Sequence, residues 1–259
     1  MDKKVKTMNL NKLCAYVLSF LITLCAIPYA NAQAFQQGHA DFGPVVEDGQ
    51  VVLKLRDDTT VPAQWRDAQD VVFSLGDAAT QQLPEGQDFG FTGAKPGDTV
   101  WVVPQTEKPH VPWLGWNTQA PELATVSERG VNFEFIGHQG PGTFSLFLQD
   151  GGLGGPEPLF LEPGDSAWVD HGTHAHANWV FSQPGTHLVR IKVSAGSQEA
   201  IADLRFAVGD TSEAAIQAAQ EEQWQGHSEQ KNYLMYLLFA LVGVVLLLLV
   251  LWRLRARNS

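Results

Sequence analysis

The stretch HGTHAHANW, residues 171–179, places three of the eight histidines of the chain within six positions. In an extended strand, side chains two residues apart point to the same face, so His174 and His176 could reach one ion together. Gly172 allows the chain to bend, so His171 could turn toward the same ion. Imidazole nitrogens bind zinc and similar divalent metals at about 2.0–2.1 Å. The spacing therefore indicates a candidate metal site.

The two residues that end this stretch could support such a site. Asn178 could hydrogen-bond a ligand imidazole, and the indole of Trp179 could cover one side of the ion. Contacts of this kind fix the orientation of ligand rings. The competing interpretation is an ordinary polar turn, because an H-x-H pair is common in proteins that bind no metal.

A second pair with the same spacing lies in GHADFGP, residues 38–44, which contains His39 and Asp41. Combined with the pair at 174 and 176, it would give imidazoles and one carboxylate, a ligand set suited to zinc. Calcium and magnesium prefer sites made mostly of oxygen atoms. Whether the two pairs meet depends on the fold.

Three other histidines are isolated in the sequence. His138 stands at a predicted turn and is a reserve ligand. His187 begins a predicted strand and is expected to lie on the surface. His110 follows a proline-rich segment and has no partner of suitable spacing.

A second candidate binding surface lies between Trp101 and Gln119. Aromatic rings beside amides can stack on a sugar or grip a peptide. The residues with this chemistry are Trp113, Trp116, Asn117 and Gln119. The alternative is that the tryptophans belong to the hydrophobic core, since large aromatics dominate the interior of β-sandwiches.

The sequence contains no recognisable catalytic motif. A G-x-S-x-G elbow, an H-E-x-x-H helix and a P-loop are all absent from the 259 residues. We therefore predict a protein that is not an enzyme. A zinc-dependent hydrolase is a third interpretation, in which Glu162, Asp165 or Asp170 could act as the base.

The elements that must position these residues are predicted to be short β-strands. Between Gln33 and Gly209, runs of β-prone residues, several of them alternating apolar and polar, are separated by turns rich in Gly, Pro and Asp. This pattern predicts an all-β, immunoglobulin-like β-sandwich, built as one large sandwich or two joined lobes. The seven clearest strands are 51–57, 70–75, 99–104, 131–137, 143–148, 186–193 and 202–208.

Residues 210–232, rich in Ala, Glu and Gln, predict a juxtamembrane stalk containing a short helix capped by Ser212.

The two ends of the sequence predict export and membrane attachment. Residues 1–32 have a lysine-rich start, an apolar run and an A-x-A site, as in a secretory signal peptide. Residues 233–252 are apolar and long enough to span a bilayer once. The basic tail at 253–259 indicates a cytoplasmic C-terminus, because positive residues remain inside. We therefore expect a single-pass membrane protein whose body lies outside the cytoplasm.

Charge and cysteine content narrow the chemistry of that body. Both cysteines, Cys14 and Cys25, lie in the predicted leader, so disulfides, thiolate ligands and a cysteine nucleophile are excluded from the exported part. Residues 33–252 contain 27 acidic and 10 basic side chains. Such an acidic surface repels nucleic acid.

The chain resembles the bacterial surface-anchored proteins called choice-of-anchor M domain proteins. The short unit at about 165–209 resembles the actinobacterial-type surface-anchored repeat associated with ABC transporters. The shared segments, in chain order, are GHADFGP, LRDDT (55–59), WRDAQDVVFSLGDAA (65–79), VWVVPQTEKPHVPWLGWNTQ (100–119), GPGTFSLF (140–147) and THAHANWVFSQPGTH (173–187).

This resemblance implies a tethered extracytoplasmic module that binds a metal, or a metal complex, beside an ABC-type metal importer or its binding protein. The recurring histidines of the family correspond to His39, His174 and His176, with Asp41 beside the first. The family carries no established catalytic role to transfer. Unlike relatives anchored in the cell wall, this chain ends in a plain apolar segment and a basic tail, with one copy of the terminal repeat.

Overall fold

The structure, a computed structural model, describes residues 33–85, 88–149 and 155–226. Strands dominate this part of the chain, and one α-helix and four short 3-10 turns accompany them. The strands, numbered β1 to β16 in order, are Gln33–Phe35, Gly38–Glu47, Gln50–Asp57, Gln64–Asp67, Val71–Leu75, Thr80–Gln82, Thr99–Val103, Pro112–Asn117, Gly130–Gln139, Phe144–Leu148, Glu157–Phe160, Ser166–Asp170, His174–His176, Asn178–Phe181, Gly185–Ala195 and Gln198–Val208. The 3-10 turns are Ala68–Asp70, Asp77–Ala79, Gly90–Thr92 and Pro121–Thr125.

The predicted all-β class is confirmed. Each of the seven runs predicted as strands overlaps an observed strand, namely β3, β5, β7, β9, β10, β15 and β16. Strand β3 shows the physical reason, because its even-numbered side chains are partly or fully exposed and its odd-numbered side chains are buried. An alternating sequence matches a strand that has one face toward the core.

The strands form three sheets. Sheet 1 has the order β1-β5-β16-β15-β9-β12, sheet 2 the order β11-β10-β14-β7-β6, and sheet 3 the order β13-β8-β2-β3-β4. Most pairs are antiparallel, but β1 and β16 pair with β5, and β2 pairs with β8, in parallel. The chain passes from sheet 3 to sheet 2 at the buried Ala177, between β13 and β14.

A single large apolar cluster joins the three sheets. Sheet 3 contributes Phe42 and Leu55, sheet 1 contributes Phe133 and Phe206, and sheet 2 contributes Phe181. Full burial of each such side chain stabilises the fold by about 1.5–3 kcal/mol. Because neighbouring side chains in a strand point to opposite faces, the residues on either side of Phe42 in β2 face away from this core.

The predicted helix is confirmed as α1, Glu213–Glu221. The Ser212 hydroxyl accepts a hydrogen bond from the Ala215 N–H at 3.3 Å, as expected of an N-cap. The helix packs on sheet 1, where Ala219 lies against Val72 and Ala207. This part of the predicted stalk is therefore attached to the β-sheet body.

The predicted leader (1–32), the end of the predicted stalk (227–232), the predicted span (233–252) and the tail (253–259) lie outside the described residues. Among the residues that the structure does describe, no helix has both the length and the apolar character to cross a membrane. The described residues up to Glu222 belong to one compact unit, and residues 223–226 belong to a second.

Candidate metal centre

The candidate site lies on the face of sheet 3 that points away from the core. Strand β8 runs between β2 and β13, and Gly115 of β8 pairs with Asp41 on one side and with His176 on the other. His39 and His174 stand two residues from these partners, so they project from the same face. The sheet thus joins two segments that are 135 residues apart in the sequence.

The four side chains converge on one point. The three Nε2 atoms of His39, His174 and His176 lie 3.0–3.1 Å from one another. Asp41 Oδ1 lies 3.1 Å from the Nε2 atom of His174, 3.4 Å from that of His39 and 3.9 Å from that of His176. These four residues could hold a metal ion.

The nitrogen triangle cannot be explained by hydrogen bonds alone. A neutral imidazole nitrogen either carries a proton and donates, or lacks one and accepts. In a triangle of three such atoms, at least one contact must therefore join two donors or two acceptors. A cation between the three lone pairs removes this conflict.

Two polar contacts orient the ligand side chains. Asp58 Oδ2 accepts a hydrogen bond from the Nδ1–H of His39 at 2.8 Å, and Asn117 Nδ2 donates to Asp41 Oδ2 at 3.2 Å. The other oxygen of Asp41, Oδ1, is buried, and no donor reaches it with hydrogen-bond geometry. Buried carboxylate oxygens are normally paired, so an unpaired oxygen that points at three imidazoles indicates a place for a cation.

The charges of the group are coupled. The contact with Asp41 raises the pKa of His39, although burial opposes the shift, and Asp58 adds to the effect. Burial disfavours the charged form of Asp41, but His39, Asn117 and His174 together hold the pKa of this carboxyl below its usual value. Burial lowers the pKa of His176 to about 4. His176 is therefore neutral at pH 7, which is the form that binds metals.

Trp113 covers one side of the group. Its indole stacks on the His176 ring at 4.1 Å between centroids, with 16° between the ring planes. Its Nε1–H donates to the Gln105 carbonyl at 3.1 Å, and the backbone N–H of Gln105 donates to Asn178 Oδ1 at 3.0 Å. The sequence predicted a hydrogen bond from Asn178 to a ligand imidazole. Asn178 instead contacts Gln105, which in turn holds the Trp113 indole.

Trp179 does not cover the ion position. Its side chain is buried in the core against Phe144 and Phe206, and its Nε1–H donates to the Leu114 carbonyl. The prediction placed it on the wrong face because strand β14 belongs to sheet 2, whereas the histidines belong to sheet 3.

His171 lies outside the group. Its Nε2 atom is 2.7 Å from the Ser127 hydroxyl, and its backbone N–H donates to the Arg129 carbonyl. His171 lies in the turn between β12 of sheet 1 and β13 of sheet 3, where Gly172 adopts a φ of 76°, so it is not part of the strand that carries His174 and His176. The position of His171 therefore differs from that of the two histidines that follow it.

None of the other histidines that the structure describes belongs to this group. His187 is fully buried, so the expected surface position is wrong. Its Nδ1 atom lies 2.8 Å from His138 Nε2, and its Nε2–H donates to the Gln183 carbonyl. The exposed His110 contacts Gln37 instead.

The stretch considered as a second binding surface, Trp101 to Gln119, contains the end of β7 and the whole of β8. Trp113 lies on the metal-group face, whereas Trp116 packs against the core, so the two indoles do not share a surface. Asn117 and Gln119 instead line an open groove of about 560 Å³ together with the exposed Trp65.

Among the acids considered as a hydrolytic base, Asp165 accepts two backbone N–H bonds within its own turn.

Sequence reasoning missed two residues of the site. Asp58 lies within LRDDT, but no spacing relates it to His39, which it reaches from the end of β3. Gly115 carries no side chain that could signal a function, and its role becomes visible only in the register of sheet 3.

Comparisons of the chain with family models, with curated proteins and with solved structures found no match.

Proposed function

We propose that this protein binds a divalent metal ion, with zinc favoured, through His39, Asp41, His174 and His176. The observation that carries the proposal is the triangle of three Nε2 atoms at 3.0–3.1 Å, with the unpaired Asp41 Oδ1 beside it. Three imidazoles and one carboxylate suit zinc or a neighbouring transition metal. They are a poor ligand set for calcium or magnesium.

We further propose that the site works outside the cytoplasm on a membrane-tethered module. The leader-like residues 1–32 and the apolar residues 233–252 support this location. The resemblance to surface-anchored proteins associated with ABC transporters suggests a metal importer, or its binding protein, as the partner. In this setting the module would capture a metal, or a metal complex, at the cell surface. We also propose that the all-β body is an immunoglobulin-like sandwich, a fold that its many short strands and turns rich in Gly, Pro and Asp suggest.

The test is the metal content of the full-length protein, measured by elemental analysis after zinc loading and dialysis. We expect about one zinc per chain in the wild type, since the described residues contain one such group of ligands. The double variant His174→Ala/His176→Ala should lose it, because two ligands cannot hold the ion.

The matched control is the variant His110→Ala, which removes an exposed histidine outside the group and should retain the metal. Equal zinc content in the wild type and in the double variant would contradict the proposal.

The alternative function is adhesion or ligand binding, with a sugar or protein recognised near Asn117 and Gln119. The groove that these residues form with Trp65, whose residue exposure is 40 %, favours this alternative. It predicts retention on a sugar or protein array that survives a chelator and the double histidine change. Replacement of Trp65 by alanine should then abolish retention.

A further inference from the structure

We infer that the metal held by this group keeps a coordination position open for an exchangeable anionic donor from a second molecule. This inference rests on the proposed metal-binding function. Three features carry it, namely the size of the nitrogen triangle, the uneven cover of the four ligands and the charge balance of the group.

The nitrogen triangle is smaller than that of a closed tetrahedral site. With metal–nitrogen bonds of about 2.0–2.1 Å, tetrahedral ligands lie about 3.3–3.4 Å apart, and ligands at right angles lie about 2.8–3.0 Å apart. The observed separations of 3.0–3.1 Å are closer to the right-angled arrangement. Three imidazoles placed in this way would leave room around a bound ion for more than four ligands.

The cover of the four ligands is uneven. The side chain of Asp41 is 0 % exposed beneath the group, and that of His176 is 9 % exposed under the Trp113 indole. The side chain of His39 is 18 % exposed, whereas that of His174 is 37 % exposed. A ligand from solvent would therefore approach on the side of His174.

The charge balance favours an anion at that position. Neutral imidazoles and one carboxylate leave a divalent ion with one uncompensated positive charge, and an anionic donor neutralises it. The guanidinium of Arg56, which pairs with Asp41 in the sheet, lies 3.3 Å from Asp58 Oδ1. The positive charge of Arg56 therefore balances the negative charge of Asp58, so Asp58 does not neutralise the metal.

An open position gives the site a means of transfer. Closed four-ligand sites are typical of structural zinc, whereas zinc sites that act on an outside molecule, as catalytic ones do, keep a position for it. A carboxylate of a partner protein or of a small chelator could bind the metal before His174 releases it. The exposed His174 lies on β13, a three-residue strand at the edge of sheet 3.

The test uses the full-length protein loaded with Co²⁺, whose visible absorption reports the coordination number. We expect the weak bands of five- or six-coordinate cobalt. Added sodium azide, a small anionic donor, should shift these bands in a saturable way. Equilibrium dialysis should show that the cobalt remains bound. The control variant His110→Ala should respond identically, because this histidine lies outside the group.

The possible failures are distinguishable. Intense four-coordinate bands that azide does not change would overturn the inference and leave metal binding intact. If the protein binds no cobalt, the proposed function itself fails, and the inference fails with it. A shift that azide produces only by releasing cobalt would also overturn the inference.

Discussion

The smallest residue at the metal centre makes the site possible. Gly115 stands between Asp41 and His176 in the sheet, and a side chain there would project into the space where the two ligands converge. A Cβ atom at this position would lie 2.6 Å from Asp41 Oδ1, 2.6 Å from the Ala175 carbonyl oxygen and 2.7 Å from His176 Cε1. The Ala175 carbonyl belongs to the backbone of β13, so it cannot move away from an added methyl group as easily as a side chain could.

The variant Gly115→Ala should therefore lose metal affinity by about 5- to 150-fold, as expected from an overpacking cost of about 1–3 kcal/mol. Competition with a chromophoric chelator measures the affinity for zinc. Gly155→Ala is the control, because no atom of the described residues lies within 4 Å of its added Cβ. Unchanged affinity in Gly115→Ala would show that the site can rearrange around a methyl group.

Asp58 is expected to act through His39. Its carboxylate accepts the Nδ1–H of that ring, which fixes the orientation of Nε2 and strengthens it as a ligand. The variant Asp58→Asn should weaken zinc binding by about 10–100-fold. The same change at Asp67, a more exposed acid that contacts Lys54 on the same sheet, should have little effect. Equal losses of zinc affinity in both variants would show that negative charge on the sheet, and not the orientation of His39, is what matters.

Among the elements, β9 and β15 carry a feature that the metal centre does not use. They bring His138 and the fully buried His187 together in sheet 1, with Phe144 and Phe181 around the pair. Burial lowers the pKa of His138 to about 4. It lowers that of His187 to about 3, and His138 adds to the shift. Both rings are neutral in the folded protein at pH 7.

This pair should make the fold sensitive to acid. Below about pH 6.5 these histidines bind protons in the unfolded state but remain neutral in the folded state. The free energy of unfolding therefore decreases as the pH falls. Each such group contributes at most about 1.4 kcal/mol per pH unit until its folded pKa is reached. Urea unfolding of the wild type between about pH 7 and about pH 5 should show this decline.

The variant His138→Gln should reduce the decline between about pH 7 and about pH 5 by about 1–2 kcal/mol, because one of the two depressed groups is removed. His110→Gln removes an exposed histidine and should behave like the wild type. If His138→Gln shows the same pH dependence as the wild type, the buried pair is not the source of acid sensitivity.

For the whole molecule, metal binding joins distant parts of the chain. The ligands come from β2 and from β13, and the chain enters sheet 2 directly after β13. A metal that binds only the folded state stabilises the entire unit, since unfolding separates its ligands. The effect should therefore appear in global unfolding.

At a free zinc concentration of about 100 times the dissociation constant, the stabilisation is about 2.7 kcal/mol. For a unit of this size, the Tm should then rise by roughly 5–10 °C in differential scanning calorimetry. The double variant His174→Ala/His176→Ala should show no rise. Equal rises in both proteins would indicate that zinc stabilises through another site.

The sequence by itself determined the local structure. Alternating apolar residues identified the strands, and Ser212 identified the start of α1, because period and capping are short-range properties. The H-x-H and H-x-D spacings nominated ligand pairs for the same reason, since residues two apart share a face of any strand.

Only the tertiary structure decided how the pairs meet. The register of β2, β8 and β13 aligns Asp41, Gly115 and His176 in one row, and this register depends on packing and on loops far apart in the sequence. The positive φ of Gly172 took His171 away from the group, and the change of sheet at Ala177 took Trp179 into the core. Pairing between distant strands has no signal in the local sequence. The roles of Asp58 and Gly115 could therefore be recognised only from the tertiary structure.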